Sequence, residues 1–360
     1  MKSDLPKVMH PLAGKPMINW LIETCEGLNP DKIIIVIGPD MPELAAAAAP
    51  HETAVQEVRD GTAGAVKAAL PMLDGFSGKV LIVMGDEPLI SREALEALIA
   101  TDDLTVQGFT TDTPHGLGRM VLNDDQTLKA IIEERDCTDT QRSINICNAG
   151  NYCVPADRLG EWISQIGNDN AQGEFYLTDL PEIVAKDGVA TYVVHTGWNG
   201  AWGVNDRLQL TEHEAKAQNI LRERAILNGV RMVDPQSVYF HHDTQIGAGT
   251  MIEPSVIFGA GVRVGENVTI KGFCHFEGVD IESGASIGPF ARLRPDTHIG
   301  ENVRIGNFVE VKKSTIGAGS KINHLAYVGD TKMGTDVNFS AGAITVNYDG
   351  FYKHKTVIGD

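Results

Sequence analysis

A carboxylate in the first half of the chain stands where nucleotide chemistry is often found. Asp86 follows the apolar run at residues 79–84 (KVLIVM) after a single glycine, and such a run is typical of a buried strand. Ligands of open α/β sheets bind outside the carboxyl ends of the strands, and a carboxylate there can hold Mg²⁺ against nucleotide phosphates. The alternative is that Asp86 only caps the turn before Pro88, and its position alone does not decide between the two.

A glycine-containing turn is a second candidate binding element. Gly61 and Thr62 open a predicted helix, where free backbone N–H groups can bind a phosphate or the edge of a uracil base. Glycines also begin many ordinary loops, so both interpretations stay open. Lys7 follows Pro6 and offers a positive charge to a phosphate, although most lysines are solvated surface residues.

The last third of the chain carries a six-residue repeat, which must position any chemistry located there. An apolar residue returns at every sixth position, with one irregular stretch and two slips of one residue. The repeated residues are Ile246, Ile252, Phe258, Val264, Ile270, Ile281, Ile287, Leu293, Ile299, Ile305, Val311, Ile316, Ile322, Val328, Met333 and Phe339. This period predicts a parallel β-helix in which three six-residue units form one coil. Glycine often follows the repeated residue, and we expect it at corners that need a positive φ or a close backbone approach.

Basic and imidazole side chains lie between the repeated positions. Arg294 and Lys312 fall near predicted corners, and His324 falls off the apolar column. A lone histidine is most often a solvated or hydrogen-bonded surface residue. A metal site is the alternative, because His275, His298 and His324 lie on separate coils, as in carbonic-anhydrase-like β-helix trimers.

Strands and helices alternate through the first part of the chain. Strands are predicted near residues 32–38, 53–58, 79–84, 104–111, 119–123, 128–133, 149–154 and 189–195, and helices near residues 16–25, 41–49, 61–73, 92–100, 156–165 and 175–186. The apolar runs at 32–38 and 79–84 are typical of strands buried on both faces of a parallel sheet. The alternation predicts a doubly wound, Rossmann-like α/β domain.

A charged helical stretch connects the two patterns. It covers residues 208–227 and is followed by Gly229, in the position expected for a helix C-cap. A chain of 360 residues exceeds the size at which a single core keeps growing. We therefore predict an α/β domain at residues 1–207, a linker helix at 208–229 and a β-helix at 230–360.

The composition excludes several classes of protein. Hydrophobic residues make up 42% and charged residues 22%, as in soluble globular proteins, and no run of about 18 apolar residues predicts a membrane span. A formal net charge of −18 argues against nucleic-acid binding, which needs clustered positive charge. The five cysteines lack CxxC spacing and the N-terminus lacks a signal peptide, so a cytoplasmic protein with reduced thiols is expected.

An ordered set of short motifs resembles a known family. The stretches are 3–7 (SDLPK), 12–17 (LAGKPM), Gln56 with 61–62 (GT), 85–89 (GDEPL), 118–119 (GR), 132–133 (IE), 148–150 (NAG), 173–179 (GEFYLTD), 203–207 (GVNDR), 288–295 (GPFARLRP), 306–313 (GNFVEVKK), 324–330 (HLAYVGD), 338–342 (NFSAG) and 347–350 (NYDG). In this order they resemble the bacterial bifunctional N-acetylglucosamine-1-phosphate uridylyltransferase/glucosamine-1-phosphate N-acetyltransferases. The resemblance spans essentially the whole chain and implies a left-handed β-helix of hexapeptide repeats after a nucleotide-diphospho-sugar transferase domain.

For the first domain, the resemblance implies uridylyl transfer from UTP to N-acetylglucosamine-1-phosphate. Asp86 and Asn205 would hold Mg²⁺, and Lys7 would contact phosphate. The remaining implied binding residues are Gln56, Gly61, Thr62 and Gly85 for the uridine nucleotide, and Gly118, Glu133 and Asn148 for the amino sugar. Positioning and charge neutralisation supply most of the catalysis in such phosphoryl transfers.

For the β-helix, the resemblance implies acetyl transfer from acetyl-CoA to glucosamine-1-phosphate. His324 would be the general base that takes a proton from the attacking amine. The other implied contacts are Arg294 and Lys312 to the sugar phosphate, Tyr327 and Asn338 to the sugar, and Ala341, Asn347 and Tyr348 on the acetyl-CoA side. Active sites of the family form between subunits, so a homotrimer is expected.

The two ends of the chain differ from the family pattern. The family's phosphate loop, Leu-Ala-Ala-Gly-x-Gly-Thr-Arg-Met, ends at the position of Met1, and its β-helix continues for further coils beyond Asp360. We therefore expect reduced activity in both reactions. Two alternatives stand beside the bifunctional enzyme: another sugar-phosphate nucleotidylyltransferase with a structural hexapeptide tail, and a non-catalytic trimerising subunit.

Overall fold

The computed structural model describes residues 1–170, 172–196 and 203–360. The chain forms two compact units. The first comprises Met1–Pro11 and Pro16–Leu210, and the second comprises Leu12–Lys15 and Thr211–Asp360. The predicted linker helix is present as Arg207–Leu227, and most of its residues group with the second unit.

The first unit alternates strands and helices, as the apolar patterns predict. Its strands of four or more residues are Ile34–Ile37, Glu52–Val55, Lys79–Ile82, Leu104–Thr110, Arg119–Leu122, Leu128–Ile132, Ile146–Pro155 and Thr191–His195. Its α-helices before Arg207 are Met17–Glu26, Pro42–Ala48, Thr62–Ala69, Arg92–Ile99, Asp139–Arg142, Ala156–Ser164 and Leu180–Lys186. The helix predicted from residue 175 begins later than expected, because a 3₁₀ turn at Leu177–Asp179 precedes the α-helix.

The main sheet of this unit has mixed strand directions. Thr191–His195 runs parallel to Leu104–Thr110. Ile146–Pro155 runs antiparallel to Leu104–Thr110 on one side and to Lys79–Ile82 on the other. Ile146–Pro155 therefore lies at the centre of the sheet, and side chains from this strand reach the candidate site described below.

The prediction that two strands are buried on both faces is wrong. Ile34–Ile37 forms a separate parallel pair with Glu52–Val55, and only alternate residues, Ile35 and Ile37, are buried. Lys79–Ile82 is exposed or half-buried along its length. The apolar runs identified the strands correctly, but the extent of burial depends on which elements pack over each face.

The second unit is a β-helix, the left-handed hexapeptide fold. Its strands belong to three parallel sheets. In chain order they are Arg231–Met232, Gln245–Ile246, Met251–Ile252, Ile257–Phe258, Arg263–Val264, Thr269–Ile270, His275–Phe276, Val279–Ile281, Ser286–Ile287, Arg292–Leu293, Thr297–Ile299, Arg304–Asn307, Glu310–Lys312, Thr315–Ile316, Lys321–His324, Tyr327–Gly329, Thr331–Met333, Asn338–Phe339 and Thr356–Ile358. Ile252 is aligned with Ile270, and Ile270 with Ile287, so repeated residues three units apart stack in one buried column. Three units per coil is thus confirmed.

The glycines of the repeat are required mainly by close packing. A Cβ atom on Gly306 would lie 1.8 Å from the carbonyl oxygen of Asn323, and one on Gly317 would lie 2.2 Å from that of Gly334. Neither Gly306 nor Gly317 has a positive φ. Gly288, which follows the repeated residue Ile287, does have a positive φ, of 94°. Other left-handed positions of this unit are occupied by glycines such as Gly249 and by residues such as Phe290 and Phe308, each of the latter with φ of 56°. Of the two expected reasons for glycine, close backbone approach is therefore the one that applies to Gly306 and Gly317.

The helix Arg207–Leu227 packs against the first coil through buried polar side chains. Gln218 donates to the carbonyl oxygen of Phe240 at 2.7 Å and accepts from its N–H at 2.8 Å, and Arg222 donates to the carbonyl oxygen of Val238 at 2.9 Å. These bonds satisfy backbone groups that the end of a β-helix would otherwise expose. Gly229, with φ of 91°, ends the helix as predicted.

Candidate active sites

The structure brings three predicted residues of the first unit together. The Nζ atom of Lys7 donates to Oδ2 of Asp86 at 2.5 Å and to Oδ1 of Asn205 at 2.9 Å. Asp86 follows the strand Lys79–Ile82, at the sheet edge where ligands of α/β domains bind. One ammonium thus joins two oxygen ligands that are separated by more than 100 positions in the chain.

The segment around Asn205 is tied to Asp86 by its backbone. The N–H of Val204 donates to the carbonyl oxygen of Asp86 at 2.9 Å. A Cβ atom on Gly203 would lie 3.1 Å from Oδ2 of Asp86, which is tighter than an ordinary contact. The bond and the small residue together hold Asn205 beside the carboxylate. Carboxylate and amide oxygens are ligands that Mg²⁺ accepts, so this donor set fits that ion.

A second group of predicted residues lies around Gly118. A Cβ atom on Gly118 would lie 3.6 Å from Oε1 of Glu133 and 3.6 Å from Cβ of Asn148. The N–H of Asn148 donates to the carbonyl oxygen of Gly118 at 2.9 Å. The nearest atom to that position is Cγ2 of Ile131 at 3.2 Å, so the Gly118 backbone packs closely here. It lies beside one residue with a carboxyl and one with an amide, the groups that a site for hydroxyl or amide groups uses.

Burial raises the pKa of the Glu133 carboxyl above its ordinary value, and a hydrogen bond with the Thr178 side chain opposes this shift. The charges of Asp136 and Asp179 act in the same direction as burial. A half-buried carboxyl with a perturbed pKa is typical of functional sites.

A third group forms around the Gly61 turn. Nε2 of Gln56 donates to Oδ1 of Asp60 at 2.9 Å and to the carbonyl oxygen of Gly61 at 3.1 Å. The Thr62 hydroxyl accepts from the N–H of Leu177 at 3.0 Å. Gly61 has φ of 117°, and a Cβ atom there would lie 2.4 Å from the carbonyl oxygen of Phe175, so glycine is required. This turn is thus held in one conformation by the segment 175–177.

Gly85 begins the turn that carries Asp86. A Cβ atom on Gly85 would make ordinary contacts of 3.7 Å with the side chains of Ile18 and Val8. The backbone at this position is therefore close to the apolar core, and the geometry leaves room for a small side chain.

Sequence reasoning missed a buried polar network directly beneath Asp86. Nδ2 of Asn151 donates to Oε2 of Glu87 at 2.6 Å and to Oε1 of Gln107 at 2.7 Å. Burial raises the pKa of the Glu87 carboxyl to about 8, against the lowering effect of the Asn151 hydrogen bond. The sequence does show Glu, Asn and Gln within apolar strand and turn segments. Polar side chains buried in such segments are normally hydrogen-bonded, which could have indicated the network.

In the β-helix, His324 is paired with an asparagine of the preceding coil. Nδ1 of His324 lies 3.2 Å from Oδ1 of Asn307, and the two residues are aligned in the same sheet. The His324 side chain is exposed. Asn307 was part of the resembling motif, but no role was predicted for it.

The predicted phosphate and sugar ligands lie in a neighbouring sheet. Nη1 of Arg294 donates to Oε1 of Glu310 at 2.8 Å, in an ion pair whose side chains are about one-third exposed. Lys312 lies on the same strand as Glu310, and Tyr327 is aligned with Glu310 on the next. Arg294, Lys312 and Tyr327 thus occupy successive coils of one face of the β-helix.

The remaining predicted residues are near the end of the described coils. Nδ2 of Asn347 donates to Oδ2 of Asp330 at 2.5 Å. The Tyr348 hydroxyl donates to the carbonyl oxygen of Gly350 at 2.7 Å. Asn338 lies in the same sheet as His324, and Asn338, Ala341 and Tyr348 are exposed. Several groups are therefore accessible to a ligand on this part of the surface.

The histidine metal site has no support within the described chain. His275, His298 and His324 lie in three different sheets. Among the described residues, the one cluster of three His, Cys, Asp or Glu side chains close enough to share an ion is His241, His242 and Asp243. The three predicted histidines therefore do not converge in one chain.

Comparisons with known proteins match both units. The MobA-like NTP transferase domain model matches residues 1–133, and the bacterial transferase hexapeptide model matches residues 243–278 and 278–313. The bifunctional protein GlmU of Paramagnetospirillum magneticum is 48% identical over 365 residues, covering 100% of this chain and 81% of the relative. The proteins of the same name from Azorhizobium caulinodans and Sphingopyxis alaskensis are 44% and 42% identical, covering 100% of this chain and 82% and 81% of the relatives. In the described part of the chain, every helix is too short or too polar to cross a membrane.

Proposed function

The chain belongs to the family of bifunctional GlmU proteins, and from this membership we propose how its residues divide two reactions between its two units. The enzyme is a uridylyltransferase and an acetyltransferase of UDP-N-acetylglucosamine synthesis. The first unit acts on UTP and N-acetylglucosamine-1-phosphate, and the β-helix acts on acetyl-CoA and glucosamine-1-phosphate. The observation that carries the assignment of the first unit is the contact of Lys7 with both Asp86 and Asn205.

In the uridylyl reaction, a phosphate oxygen of N-acetylglucosamine-1-phosphate attacks the α-phosphorus of UTP. The bond from this phosphorus to the bridging oxygen breaks, and pyrophosphate leaves with the electron pair. Asp86 and Asn205 would hold Mg²⁺, which neutralises phosphate charge in such transfers. Lys7 exchanges its bonds to these oxygens for bonds to phosphate, and so keeps a positive charge at the reacting group.

The other groups in the first unit fit substrate binding. The turn of Gln56, Gly61 and Thr62, together with Gly85, binds the uridine nucleotide. Gly118, Glu133 and Asn148, which lie close together, bind the N-acetylated sugar, whose hydroxyl and amide groups suit a carboxylate and an amide. The close contacts around both groups support a preformed site.

In the acetyl reaction, the amine of glucosamine-1-phosphate attacks the thioester carbonyl of acetyl-CoA. His324 takes the proton from the nitrogen, and the thiolate of CoA leaves and is then protonated. Arg294 and Lys312 bind the sugar phosphate, and Tyr327 and Asn338 position the sugar. Ala341, Asn347 and Tyr348 lie on the acetyl-CoA side. The alternative of a purely structural hexapeptide tail gives no reason for the pairing of His324 with Asn307.

We also propose a cytoplasmic homotrimer. An exposed column of aromatic rings supports assembly: the ring centroids of Phe273 and Phe290 are 5.0 Å apart, and those of Phe290 and Phe308 are 5.2 Å apart. These side chains are 60%, 46% and 56% exposed. Contiguous exposed apolar surface of this kind is typical of interfaces.

The test is to measure both reactions in the same preparations of the full chain. Pyrophosphate release from UTP, N-acetylglucosamine-1-phosphate and Mg²⁺ follows the first reaction, and thiol release from acetyl-CoA follows the second. We expect Asp86→Ala to lose pyrophosphate release by about 100-fold or more while acetyl transfer is retained, and His324→Ala to show the reverse. Equal loss of both activities in either variant would contradict the proposal that each unit carries one of the two reactions.

A further inference from the structure

A polar network in the first unit is formed by the buried residues Glu87, Gln107 and Asn151 and by the half-buried Thr196. Asn151 lies on the central strand Ile146–Pro155 and is fully buried, as is Gln107. Besides its two donor bonds to Glu87 and Gln107, Asn151 accepts from the N–H of Met84 at 2.9 Å. Nε2 of Gln107 in turn donates to the hydroxyl of Thr196 at 2.8 Å. The amide of Asn151 thus makes three bonds in the interior of the first unit.

Two of these bonds hold the turn that carries Asp86. Met84 and Glu87 flank Gly85 and Asp86, and the N–H of Glu87 donates to the carbonyl oxygen of Met84 at 3.1 Å. The Asn151 side chain therefore binds the turn on both sides of Asp86, once through the backbone and once through a carboxyl. Asp86 itself projects to Lys7 on the outer side of the turn.

Filling this part of the core with polar side chains costs more free energy than filling it with apolar ones, so packing alone does not explain the network. Burying polar side chains forfeits their hydration, and similar apolar side chains fill a core without that cost. A satisfied polar network specifies a single arrangement of its members, because any shift leaves a buried donor or acceptor without a partner. Here the network fixes the Met84 backbone and the Glu87 side chain, which lie on either side of the candidate metal ligand Asp86.

We propose that Asn151 and Glu87 are positioning residues for uridylyl transfer, which hold the Asp86 turn in the geometry that binds the divalent cation. This inference rests on the function proposed for the first unit. Neither residue touches substrate in the proposal, and each acts through Asp86. Asn151 also lies three positions after Asn148 on the same strand, so one strand supports both the cation ligand and the sugar-binding group.

The experiment compares variants of the full chain by their Mg²⁺ dependence. Asn151→Leu removes all three bonds, Glu87→Met removes the carboxyl alone, and Glu87→Gln keeps an acceptor oxygen for Asn151. Thr105→Val is the matched control, because it removes a fully buried hydrogen bond, from the Thr105 hydroxyl to the carbonyl oxygen of Leu98, on the same strand as Gln107. The readouts are kcat for pyrophosphate release, the Mg²⁺ concentration at half-maximal rate and the melting temperature.

We expect Asn151→Leu and Glu87→Met to raise the half-maximal Mg²⁺ concentration about 10-fold or more and to lower kcat by a similar factor. Glu87→Gln should stay within about threefold of the unmodified chain, and Thr105→Val should lower only the melting temperature. Should Asn151→Leu not fold, Glu87→Met decides the question, since it leaves Asn151 bonded to Gln107 and Met84. Acetyl transfer by the second unit serves as the control for intact protein.

Two other outcomes would overturn the inference in distinguishable ways. If Glu87→Met and Asn151→Leu melt at lower temperature but keep the Mg²⁺ dependence of the unmodified chain, the network only stabilises the fold, and the proposed function stands. If the unmodified chain releases no pyrophosphate, or Asp86→Ala releases it with unchanged Mg²⁺ dependence, the function proposed for the first unit is wrong and the inference falls with it.

Discussion

His324 and Asn307 are hydrogen-bonded neighbours on adjacent coils, with Nδ1 of the imidazole 3.2 Å from the amide oxygen. An amide oxygen can only accept, so Nδ1 carries the proton in this arrangement. The neutral ring then has its lone pair on Nε2, which is the atom able to take a proton from an amine. Asn307 therefore selects the tautomer that a general base needs.

The first prediction concerns this pair. Asn307→Leu should lower kcat for acetyl transfer about 10-fold, because the ring loses the bond that fixes its tautomer and orientation. His324→Ala should lower it by about 100-fold or more. Thiol release from acetyl-CoA measures both effects, and pyrophosphate release should be unchanged. A normal kcat in Asn307→Leu would show that the backbone alone orients the imidazole.

The second prediction concerns Arg294 and its ion pair with Glu310. Arg294→Leu should raise KM for glucosamine-1-phosphate about 10-fold or more, because the phosphate loses a charged donor. Glu310→Gln should leave the melting temperature nearly unchanged, since a partly exposed ion pair contributes only about 0–1 kcal/mol. Steady-state kinetics measures the KM of Arg294→Leu, and thermal unfolding measures the melting temperature of Glu310→Gln. An unchanged KM in Arg294→Leu would remove this residue from the phosphate site.

The third prediction uses two glycines with positive φ in the first unit. Gly61 has φ of 117° and its Cβ direction is blocked by Phe175, whereas Gly75 has φ of 72° and nothing within 4 Å of its Cβ position. Gly75→Ala should therefore cost only the conformational strain, on the order of 1–2 kcal/mol. Gly61→Ala should cost more and should also raise KM for UTP. Denaturant unfolding measures the loss in free energy of unfolding for both variants. Equal losses would contradict the claim that Phe175 blocks a side chain at position 61.

The fourth prediction is a pH dependence that originates at Glu133. Because burial raises the pKa of this carboxyl above its ordinary value of 4.5, the folded state keeps the proton to a higher pH than the unfolded state does. The contribution of this carboxyl to the free energy of unfolding is therefore fully present below pH 4.5 and is lost as the pH rises through the folded pKa. Between the two pKa values the free energy of unfolding should fall by at most about 1.4 kcal/mol for each step of one in pH.

Glu133→Gln should make this decline shallower, because the variant has no proton to lose. Urea unfolding at pH 5 and pH 7 measures the difference, with Glu57→Gln as a control at an exposed carboxylate. If the two variants change the pH dependence equally, the raised pKa of Glu133 does not contribute to stability.

The fifth prediction concerns the aromatic column Phe273, Phe290 and Phe308. A charge placed at an apolar interface loses hydration without gaining a partner, so Phe290→Asp should dissociate the proposed trimer. Because the ring is exposed in the single chain, the fold should survive. Analytical ultracentrifugation reports the mass, and circular dichroism checks the fold. A trimer that persists in Phe290→Asp and Phe308→Asp would mean that the interface lies elsewhere.

The sequence by itself determined the two kinds of unit in this protein. The six-residue period identified the β-helix because each coil buries its apolar residues only against the same residues of the next coil, which imposes a strict spacing. The alternation of apolar runs identified the strands and helices of the first unit, because those patterns depend on local geometry. The ordered motifs, including Asp86 and His324, then led to the candidate sites.

Only the tertiary structure decided which of these residues meet. Asn151 binds Glu87 from 64 positions away and Gln107 from 44 positions away, and no local pattern encodes such a pairing. The same holds for Lys7 with Asp86, and for the burial of Ile34–Ile37 on one side rather than two. Periodicity records which face of an element is apolar, whereas contacts between distant elements follow from how the whole chain packs.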